Sequence, residues 1–374
     1  MKKNRILFVI TEDWALISHR LHLVNAAINA GHVVGLATRI NNHRELLKSH
    51  GIKLFEWNLE RRSLNPLREI MMIINLCRII WIFRPNIIHA VAQKPVLYAS
   101  IARKFFNKAG FIGTLGGLGF IFTSKSFKAR LLKRAVKLFL KFALMGKKTL
   151  LILQNKDNIE TIKSLGVINN KNIRLVRGAG VETEKFVSKP IPKGIPIIIL
   201  PGRMLWDKGV GEFFRLAKRI KAKKIKARFV LVGDIDSHNP LSLSQLQIDK
   251  WVNSGVIEQW KRCDKMELVY QQALIVCLPS YNEGLPKVLL EAGSCSRPIV
   301  TFDVPGCREV VKNNVNGYLI EFGNELALED AIINLINDKN LCKKMGEQGR
   351  KIAKTQFSSK IINTQTFKIW NEVI

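Results

Sequence analysis

The stretch Leu274-Ile-Val-Cys-Leu-Pro-Ser-Tyr-Asn-Glu-Gly-Leu-Pro-Lys-Val-Leu-Leu-Glu291 combines an apolar segment, a turn and the start of a helix. Its first five residues predict a short buried strand, and Pro286 suits the first helical position, where its missing N–H costs nothing. Glu283 is then predicted in the turn and Glu291 in the second turn of the helix. Free backbone N–H groups lie between these carboxylates, which favours binding of a phosphate or a sugar hydroxyl. A glutamate before a helix also has a simpler interpretation, as a favourable charge at the helix amino end.

Short apolar segments alternate with helix-like segments along the whole chain, which predicts α/β domains with parallel, doubly wound sheets. Strands are predicted at 5–10, 33–38, 52–57, 86–91, 110–113, 149–153, 197–201, 227–232, 275–278 and 299–302. Helices are predicted at 16–30, 42–50, 65–83, 95–107, 126–145, 157–165, 209–222, 243–253 and 325–337. A segment with three glycines and two prolines, 177–195, separates the two halves. We therefore predict a first domain at 1–177, a second at 195–357 and a C-terminal segment at 358–374.

Several motifs together resemble the retaining family 4 glycosyltransferases of the GT-B fold. Glu283 and Glu291 match the Glu-x7-Glu signature of that family. The other matching segments are Gly202-Arg-Met-Leu-Trp-Asp-Lys-Gly209, Leu231-Val-Gly-Asp234, Val304-Pro-Gly-Cys-Arg-Glu309, Asn316-Gly317 and Gly178-Ala-Gly-Val181. The resemblance implies two Rossmann-like domains facing a cleft, the first binding the acceptor and the second the nucleotide sugar. It also implies that the C-terminal segment is a helix crossing back to the first domain.

The motif around Arg203 and Lys208 is predicted to carry part of the chemistry. In open α/β sheets a ligand lies outside the carboxyl ends of the strands. Arg203 follows the predicted strand 197–201 and Lys208 opens the next helix. Both cations can therefore stabilise the charge that develops on a leaving diphosphate. The alternative is that both are solvated surface cations.

The resemblance assigns roles to further residues. Glu283 would contact the donor sugar and orient the departing phosphate, so it joins Arg203 and Lys208 as a predicted catalytic residue. Glu291 would accept hydrogen bonds from the ribose of the nucleotide. The other predicted substrate-binding residues are Gly202, Gly284, Leu285 and His89. His89 ends a predicted strand in the first half, where a structural histidine is an equally good interpretation.

The resemblance also implies transfer with retention of the anomeric configuration, and no metal or other cofactor. Asp234-Ile-Asp236 spells the metal signature of a different glycosyltransferase fold, but it follows a predicted strand end in a loop, and we predict no metal there. The glycine-rich run 113–119 does not fit Gly-x-Gly-x-x-Gly, and it either borders the cleft or makes a tight turn. Ser296 replaces a glycine that is usual in the family, and 256–260 lacks another near the nucleotide base. These departures leave the base of the donor open, with a UDP-sugar as our expectation.

The 374-residue chain carries 60 Lys and Arg against 29 Asp and Glu, a net charge of +31. Residues 1–177 hold 31 of the basic and 8 of the acidic residues, so a charge of +23 lies in the first half. Nucleic acid and anionic membrane are the usual partners of such a surface. Residues 125–148 contain nine cations and no acid, and a basic stripe beside apolar residues there favours docking on an anionic membrane. A domain helix with cations pointing to solvent is the alternative.

Three further features bear on the location of the protein. Six cysteines without Cys-x-x-Cys spacing indicate a reducing compartment. The apolar run 6–10 is too short for a signal peptide. The apolar run 70–83 is too short to span a bilayer, and we predict a buried core helix. We expect a cytoplasmic protein, peripheral on the cytoplasmic face of the inner membrane.

The sequence thus predicts a hexosyl or N-acetylhexosaminyl transferase that extends a polyprenyl-diphosphate-linked saccharide in bacterial surface-polysaccharide synthesis. Segments 89–98 and 118–123 resemble enzymes of that kind. A sugar-nucleotide epimerase on the same fold and a binding-only, degenerate member are alternatives. A basic nucleic-acid-binding protein is a third, but the chain has four Tyr and no recognised nucleic-acid-binding motif, so we expect no nucleic-acid partner.

Overall fold

The computed structural model describes residues 3–60, 65–106, 109–117, 137–138, 140–237 and 239–374. The chain divides into two compact units. The first consists of Met1–Ala179 together with Ile362–Ile374, and the second of Gly180–Ile361. Each unit contains one sheet, and every strand pair of both sheets is parallel.

The first unit is built on a seven-stranded sheet in the order β3-β2-β1-β4-β5-β6-β7. Its strands are β1 (Arg5–Glu12), β2 (Val33–Arg39), β3 (Lys53–Glu56), β4 (Ile87–Val91), β5 (Gly110–Leu115), β6 (Thr149–Leu153) and β7 (Ile173–Leu175). Its helices include Asp13–Asn29, Arg44–Ser49, Pro66–Phe83, Gln93–Arg103, Lys156–Leu165 and most of Ser359–Asn371. The order of the strands reverses between β1 and β4, which is where ligands bind in doubly wound sheets.

Side chains of the first sheet alternate between two cores, one on each face. Leu7 and Val9 of β1 belong to the core under helices Pro66–Phe83 and Gln93–Arg103. Phe8 and its neighbours on the other face belong to the core under helix Asp13–Asn29. Both faces of the sheet are thus covered, as the predicted doubly wound architecture requires.

The C-terminal helix Ser359–Asn371 completes the second of these cores. Ile362, Ile369, Trp370 and Val373 are buried among residues of β1, β2 and β4. A Cβ added to Gly110 would lie 2.5 Å from the carbonyl oxygen of Val373, so this segment lies directly on β5. The predicted return of the C-terminal helix to the first domain is confirmed.

Helix Pro66–Phe83 differs from its prediction as a buried core helix. Leu76, Ile80 and Phe83 pack on the sheet, but Ile70 and Ile74 on the opposite side are more than half exposed. The reason is geometric, because the helix lies on the outside of the sheet and nothing in the described chain covers its outer side. No helix within the described ranges combines the length and the apolar character that crossing a membrane requires.

The second unit is built on a six-stranded sheet in the order β10-β9-β8-β11-β12-β13. Its strands are β8 (Ile197–Pro201), β9 (Arg228–Val232), β10 (Glu258–Trp260), β11 (Ile275–Leu278), β12 (Ile299–Phe302) and β13 (Gly317–Ile320). Its helices include Val210–Ala222, Gln245–Asn253, Met266–Gln272, Lys287–Ser294, Pro305–Val310, Glu325–Asn337 and Lys339–Gln356. The central strands β8 and β11 mark the reversal of strand order, and they pair through Ile198 and Ile275.

Some element boundaries differ from the prediction for clear reasons. Pro286 precedes the helix instead of opening it, because its ψ of 109° is extended, and the helix begins at Lys287. The first helix begins at Asp13, whose carboxylate accepts a hydrogen bond from the N–H of Trp14. In the run 113–119, Gly113 closes no turn but lies inside β5. The end of that run, and most of the predicted membrane helix 125–148, lie outside the described residues.

Candidate active site

The end of β8 is held against the end of β9 by a close approach of backbones. Gly202 donates its N–H to the carbonyl oxygen of Val232 at 2.9 Å. A Cβ added to Gly233, whose φ is +144°, would lie 2.0 Å from the carbonyl oxygen of Gly202. Glycine is therefore required at 233, and this approach fixes where Arg203 leaves the edge of the sheet.

A second close approach joins the loop after β8 to the loop after β11. Gly209 has a φ of +74°, and a Cβ there would lie 2.0 Å from the carbonyl oxygen of Pro279. The N–H of Tyr281 donates to the carbonyl oxygen of Asp207 at 2.9 Å. Lys208, between these two positions, is thereby brought next to the loop that carries Glu283.

Lys208 and Glu283 form an ion pair at the carboxyl edge of the sheet. Lys208 Nζ lies 2.6 Å from Glu283 Oε1, and the two side chains are 21% and 9% exposed. Ser280 Oγ lies 2.8 Å from the same carboxylate oxygen and 3.1 Å from the carbonyl oxygen of Asp207. The carboxylate of Glu283 is thus fixed in place by a cation and a buried hydroxyl, with limited access to solvent.

The turn that opens helix Pro305–Val310 supports this loop from the other side. Gly306 donates its N–H to the carbonyl oxygen of Glu283 at 3.1 Å. A Cβ at Gly306 would lie 2.6 Å from the carbonyl oxygens of both Glu283 and Gly284. The predicted sugar-binding backbone at Gly284 and Leu285 therefore rests on a glycine whose motif the sequence had already indicated.

Glu291, the second carboxylate of the pair, is buried on helix Lys287–Ser294. Its Oε2 accepts a hydrogen bond from the hydroxyl of Tyr270 at 2.9 Å, and its Oε1 lies 3.1 Å from Lys287 Nζ. Burial, with the negative charge of Glu291 beside it, raises the pKa of Tyr270 well above its usual value. Tyr270 therefore stays protonated and donates, which orients the carboxylate of Glu291 on its helix.

Arg203 lies at the edge of the site with its side chain about half exposed. Its Nη1 lies 2.7 Å from Asp236 Oδ2, in the loop after β9. Asp236 belongs to the Asp-Ile-Asp sequence and is thus engaged with a cation of the protein. Among the described residues no group of three or more His, Cys, Asp and Glu side chains is placed to hold a metal ion.

His89 belongs to the first unit, whereas the site residues described so far all belong to the second. The strand continues through Val91, so His89 is inside β4 and does not end it. Its Nε2 is 2.8 Å from Thr114 Oγ1, and the indole N–H of Trp370 donates to its Nδ1 at 3.3 Å. Burial, with a smaller contribution from the charge of Arg20, lowers the pKa of His89 to about 3. The geometry favours the structural alternative, and we leave His89 out of the site.

The structure therefore gathers Gly202, Arg203, Lys208, Glu283, Gly284, Leu285 and Glu291 in the second unit, around the carboxyl ends of β8 and β11. It also adds three residues that sequence reasoning missed. Ser280 stands three positions before Glu283 and could have been suspected as a partner for it. Asp236 was noticed only as half of a metal signature. Tyr270 gave no signal, because its contact with Glu291 depends on helix packing.

This arrangement can bind and stabilise an anion that gains charge during a reaction. Arg203 offers a planar fork of donors and Lys208 a point charge, both on loops fixed by glycine-dependent backbone contacts. Preorganised cations of this kind stabilise developing charge without reorganising as the reaction proceeds. The neighbouring carboxylate Glu283 can accept hydrogen bonds from hydroxyl groups of a bound sugar.

Comparison with protein families agrees with this geometry. Residues 5–155 match the family described as glycosyl transferase 4-like. Residues 181–352 match the glycosyl transferases group 1, and this range contains every residue of the site in the second unit. The two matches together account for most of the chain.

One relative matches almost the full chain, and another matches three quarters of it. The N,N'-diacetylbacillosaminyl-diphospho-undecaprenol alpha-1,3-N-acetylgalactosaminyltransferase of Campylobacter jejuni is 28% identical over 388 residues, covering 99% of each chain. The UDP-Gal:alpha-D-GlcNAc-diphosphoundecaprenol alpha-1,3-galactosyltransferase of Escherichia coli is 26% identical, covering 75% of this chain and 74% of the relative. A solved glycosyltransferase from Rickettsia africae superposes with a TM-score of 0.81 at 20% identity, covering 100% of this chain and 99% of that one. The chain belongs to the glycosyltransferases of the GT-B fold, with a glycosyl transferase 4-like first part and a group 1 second part.

Proposed function

We propose that this glycosyltransferase moves a hexosyl or N-acetylhexosaminyl group from a UDP-sugar to a saccharide carried on polyprenyl diphosphate, in the synthesis of a bacterial surface polysaccharide. Two relatives with this type of acceptor in their names support the proposal, one of them over 99% of the chain. The name of the Escherichia coli relative also contains a UDP-sugar donor.

The observation that carries the proposal is the ion pair of Lys208 and Glu283, with Arg203 at the same edge of the sheet. A sugar nucleotide releases a nucleoside diphosphate, so negative charge grows on the phosphate oxygens as the glycosidic bond breaks. Lys208 and Arg203 would bind those oxygens, while Glu283 would accept hydrogen bonds from the donor sugar and fix its orientation.

We propose that transfer proceeds with retention and without a metal. The acceptor hydroxyl would attack the anomeric carbon on the face from which the diphosphate leaves. A phosphate oxygen of the leaving group would take the proton of that hydroxyl, so no side chain is required as a base. The two cations would then stabilise the charge that a metal ion stabilises in other transferases.

Glu291 is proposed to bind the ribose of the nucleotide. Both of its oxygens already have a partner, in Tyr270 and Lys287. A carboxylate oxygen can accept more than one hydrogen bond, so each can still receive a ribose hydroxyl. The hydrogen bond from Tyr270 would hold the carboxylate of Glu291 in the orientation that binds the ribose.

The lipid-linked acceptor requires the enzyme to work at a membrane surface, and we propose a peripheral location on the cytoplasmic face of the inner membrane. The cationic segment 125–148 is proposed to dock on anionic lipid. A charge of +23 in residues 1–177 supports this, since anionic headgroups attract each cation near the surface by about 1 kcal/mol.

The experiment that tests the proposal measures nucleotide release from UDP-, GDP- and dTDP-sugars in the presence of EDTA. Each donor is tried with and without a short-chain polyprenyl-diphosphate saccharide. Release that needs one UDP-sugar and the acceptor together supports transfer without a metal. If the donor were consumed at the same rate with and without the acceptor, the result would support the epimerase or hydrolase alternative and contradict the proposal.

A further inference from the structure

Helix Pro66–Phe83 carries an apolar surface on its outer side, which we call the outer stripe. It consists of Leu67, Ile70, Met71, Ile74 and Trp81, and these side chains are between 53% and 73% exposed. At about 100° per residue all five fall within an arc of about 100°. The opposite side, with Leu76 and Phe83, is buried against the sheet. The helix is thus apolar on both sides, and its outer side alone is open.

Such a helix is unusual on the surface of a globular protein. An ordinary surface helix has charged and polar residues opposite its buried face. Here Arg78 is the single charged residue within the arc of the outer stripe, and Glu69 faces away from it, paired with Lys94 at 2.9 Å. Contiguous exposed apolar side chains of this kind mark a surface that binds something.

Further exposed apolar side chains lie on elements that follow in the same layer. Cys77 Sγ lies 3.9 Å from the carbonyl oxygen of Ala102, which places helix Gln93–Arg103 beside helix Pro66–Phe83. Beyond it, Lys104 Nζ lies 3.4 Å from the ring centroid of Phe142. These exposed side chains are Phe105, Phe142 and Met145.

Charge indicates what covers this surface. Between Glu69 and Asp157 the sequence contains no Asp or Glu, although it contains sixteen Lys and Arg. One of these cations, Lys104, lies over the ring of Phe142, and Lys141 stands one helical turn before Met145. A protein partner for this region would need a surface both apolar and strongly acidic. An anionic bilayer offers both properties at once, with acyl chains below and negative headgroups above.

We propose that the outer stripe inserts into the interfacial region of an anionic lipid bilayer. Leu67, Ile70, Met71 and Ile74 would lie among the upper acyl chains, and Trp81 would lie at the headgroup boundary, where indole rings concentrate. Arg78 would extend its aliphatic stem along the helix and place its guanidinium among the headgroups. This surface is separate from the proposed docking segment 125–148, and it contributes apolar contact in addition to charge attraction.

The test is co-sedimentation of the full chain with vesicles of phosphatidylethanolamine and phosphatidylglycerol, without donor or acceptor. The double variant Ile70→Ser, Ile74→Ser is expected to bind at least about tenfold more weakly than the wild type. The matched control is Leu246→Ser, Leu326→Ser, which replaces two helical leucines of the second unit that are 80% and 70% exposed. The control is expected to bind as the wild type does. Both doubles change exposed residues and should unfold at the wild-type temperature.

A second measurement follows Trp81 itself. Tryptophan emission of the wild type should shift to shorter wavelength when vesicles are added, and Trp81→Phe should lose most of that shift. Equal binding of wild type and the Ile70, Ile74 variant, with an unchanged emission shift, would overturn the proposal. So would a wild-type dimer that the variant converts to monomer without change in vesicle binding, because a second copy would then cover the outer stripe. Since no sugar substrate is present, either result is independent of whether the chain transfers sugar to lipid.

Discussion

Both sheets of this protein are parallel, but the residues that follow their strands differ in charge and in burial. In the second unit, the loops after β8 and β11 carry charged side chains that pair with each other and keep some access to solvent. In the first unit, Asp13 after β1 is fully buried and accepts hydrogen bonds from the N–H groups of Trp14 and Asn41. His89, inside β4, is buried and accepts a hydrogen bond from the indole N–H of Trp370.

The difference lies in the side chains that follow the strands, because both sheets have the same kind of strand order. Both sheets reverse their order at a central pair of strands, where a ligand is expected. In the second unit two glycines let loops approach without side chains between them, which leaves the charged groups at the surface. In the first unit the indole of Trp370 packs on the face of the sheet, against Phe8 of β1 and His89 of β4. The following variants probe this contrast.

The largest effect is expected for Glu283→Gln, which keeps the shape of the side chain and removes its charge. The turnover number should fall about a thousandfold, because the donor sugar and Lys208 both lose their charged partner. Nucleotide release with donor and acceptor is the measurement. Glu258→Gln is the matched control, since Glu258 on β10 is also a glutamate in an ion pair, with Arg228 at 2.7 Å. A rate near wild type in Glu283→Gln would remove Glu283 from the site.

Arg203→Ala should lower kcat/KM about a hundredfold, since one of the two cations proposed to bind the diphosphate is lost. Asp236→Asn should have a smaller effect, because it removes only the partner of Arg203. Initial rates over a range of donor concentrations distinguish the two. Arg228→Ala serves as a control, and equal losses in Arg203→Ala and Arg228→Ala would indicate a general effect of removing ion-paired arginines.

Gly209→Ala and Gly166→Ala compare two glycines with positive φ, one in each unit. A methyl group at Gly166 would meet nothing within 4 Å, so only the backbone strain of about 1 kcal/mol is expected. A methyl group at Gly209 would also collide with the carbonyl oxygen of Pro279. We therefore expect Gly209→Ala to lose about 2 kcal/mol more free energy of unfolding than Gly166→Ala. Urea unfolding followed by circular dichroism measures both. If both variants lost the same free energy of unfolding, the loops after β8 and β11 would be able to move apart at little cost.

The effect expected to be smallest for turnover concerns His89, which is expected to act on acid stability instead. Because the pKa of His89 in the folded chain is about 3, below its unfolded value near 6.5, the unfolded chain binds more protons between these values. Its contribution to stability is present above about pH 6.5 and is lost at up to about 1.4 kcal/mol per pH unit as the pH falls. In His89→Gln the free energy of unfolding should fall less steeply between pH 6.5 and 4 than in the wild type, as urea unfolding at each pH would measure. Its turnover at pH 7 should be near that of the wild type. A turnover as low as that of Glu283→Gln would return His89 to the site.

Much of the fold followed from apolar runs. Central parallel strands are buried on both faces and are therefore continuous in apolar residues, as in Ile197–Pro201 and Thr149–Leu153. The strands that sequence reasoning missed were β7, β10 and β13, which have three or four residues and lie at sheet edges. Half-buried edge strands lack such a run, so no pattern revealed them.

The sequence predicted most residues of the candidate site, but it did not predict which of them contact each other. Glu283 and Lys208 stood out by motif, but their 2.6 Å separation joins residues 75 positions apart. That distance depends on the approach of Gly209 to Pro279, which no local pattern encodes. Composition likewise showed that helix Pro66–Phe83 is apolar, but it could not show that one side of the helix stays open.

The C-terminal helix has a consequence for the order of events on the ribosome. Ile362, Ile369 and Trp370 fill the core of the first unit, yet they are synthesised after every residue of the second. The second unit can therefore reach its native state while the nascent first unit still exposes an incomplete face, with β1 and β4 lacking their cover. The unit that emerges first is the one that finishes folding last.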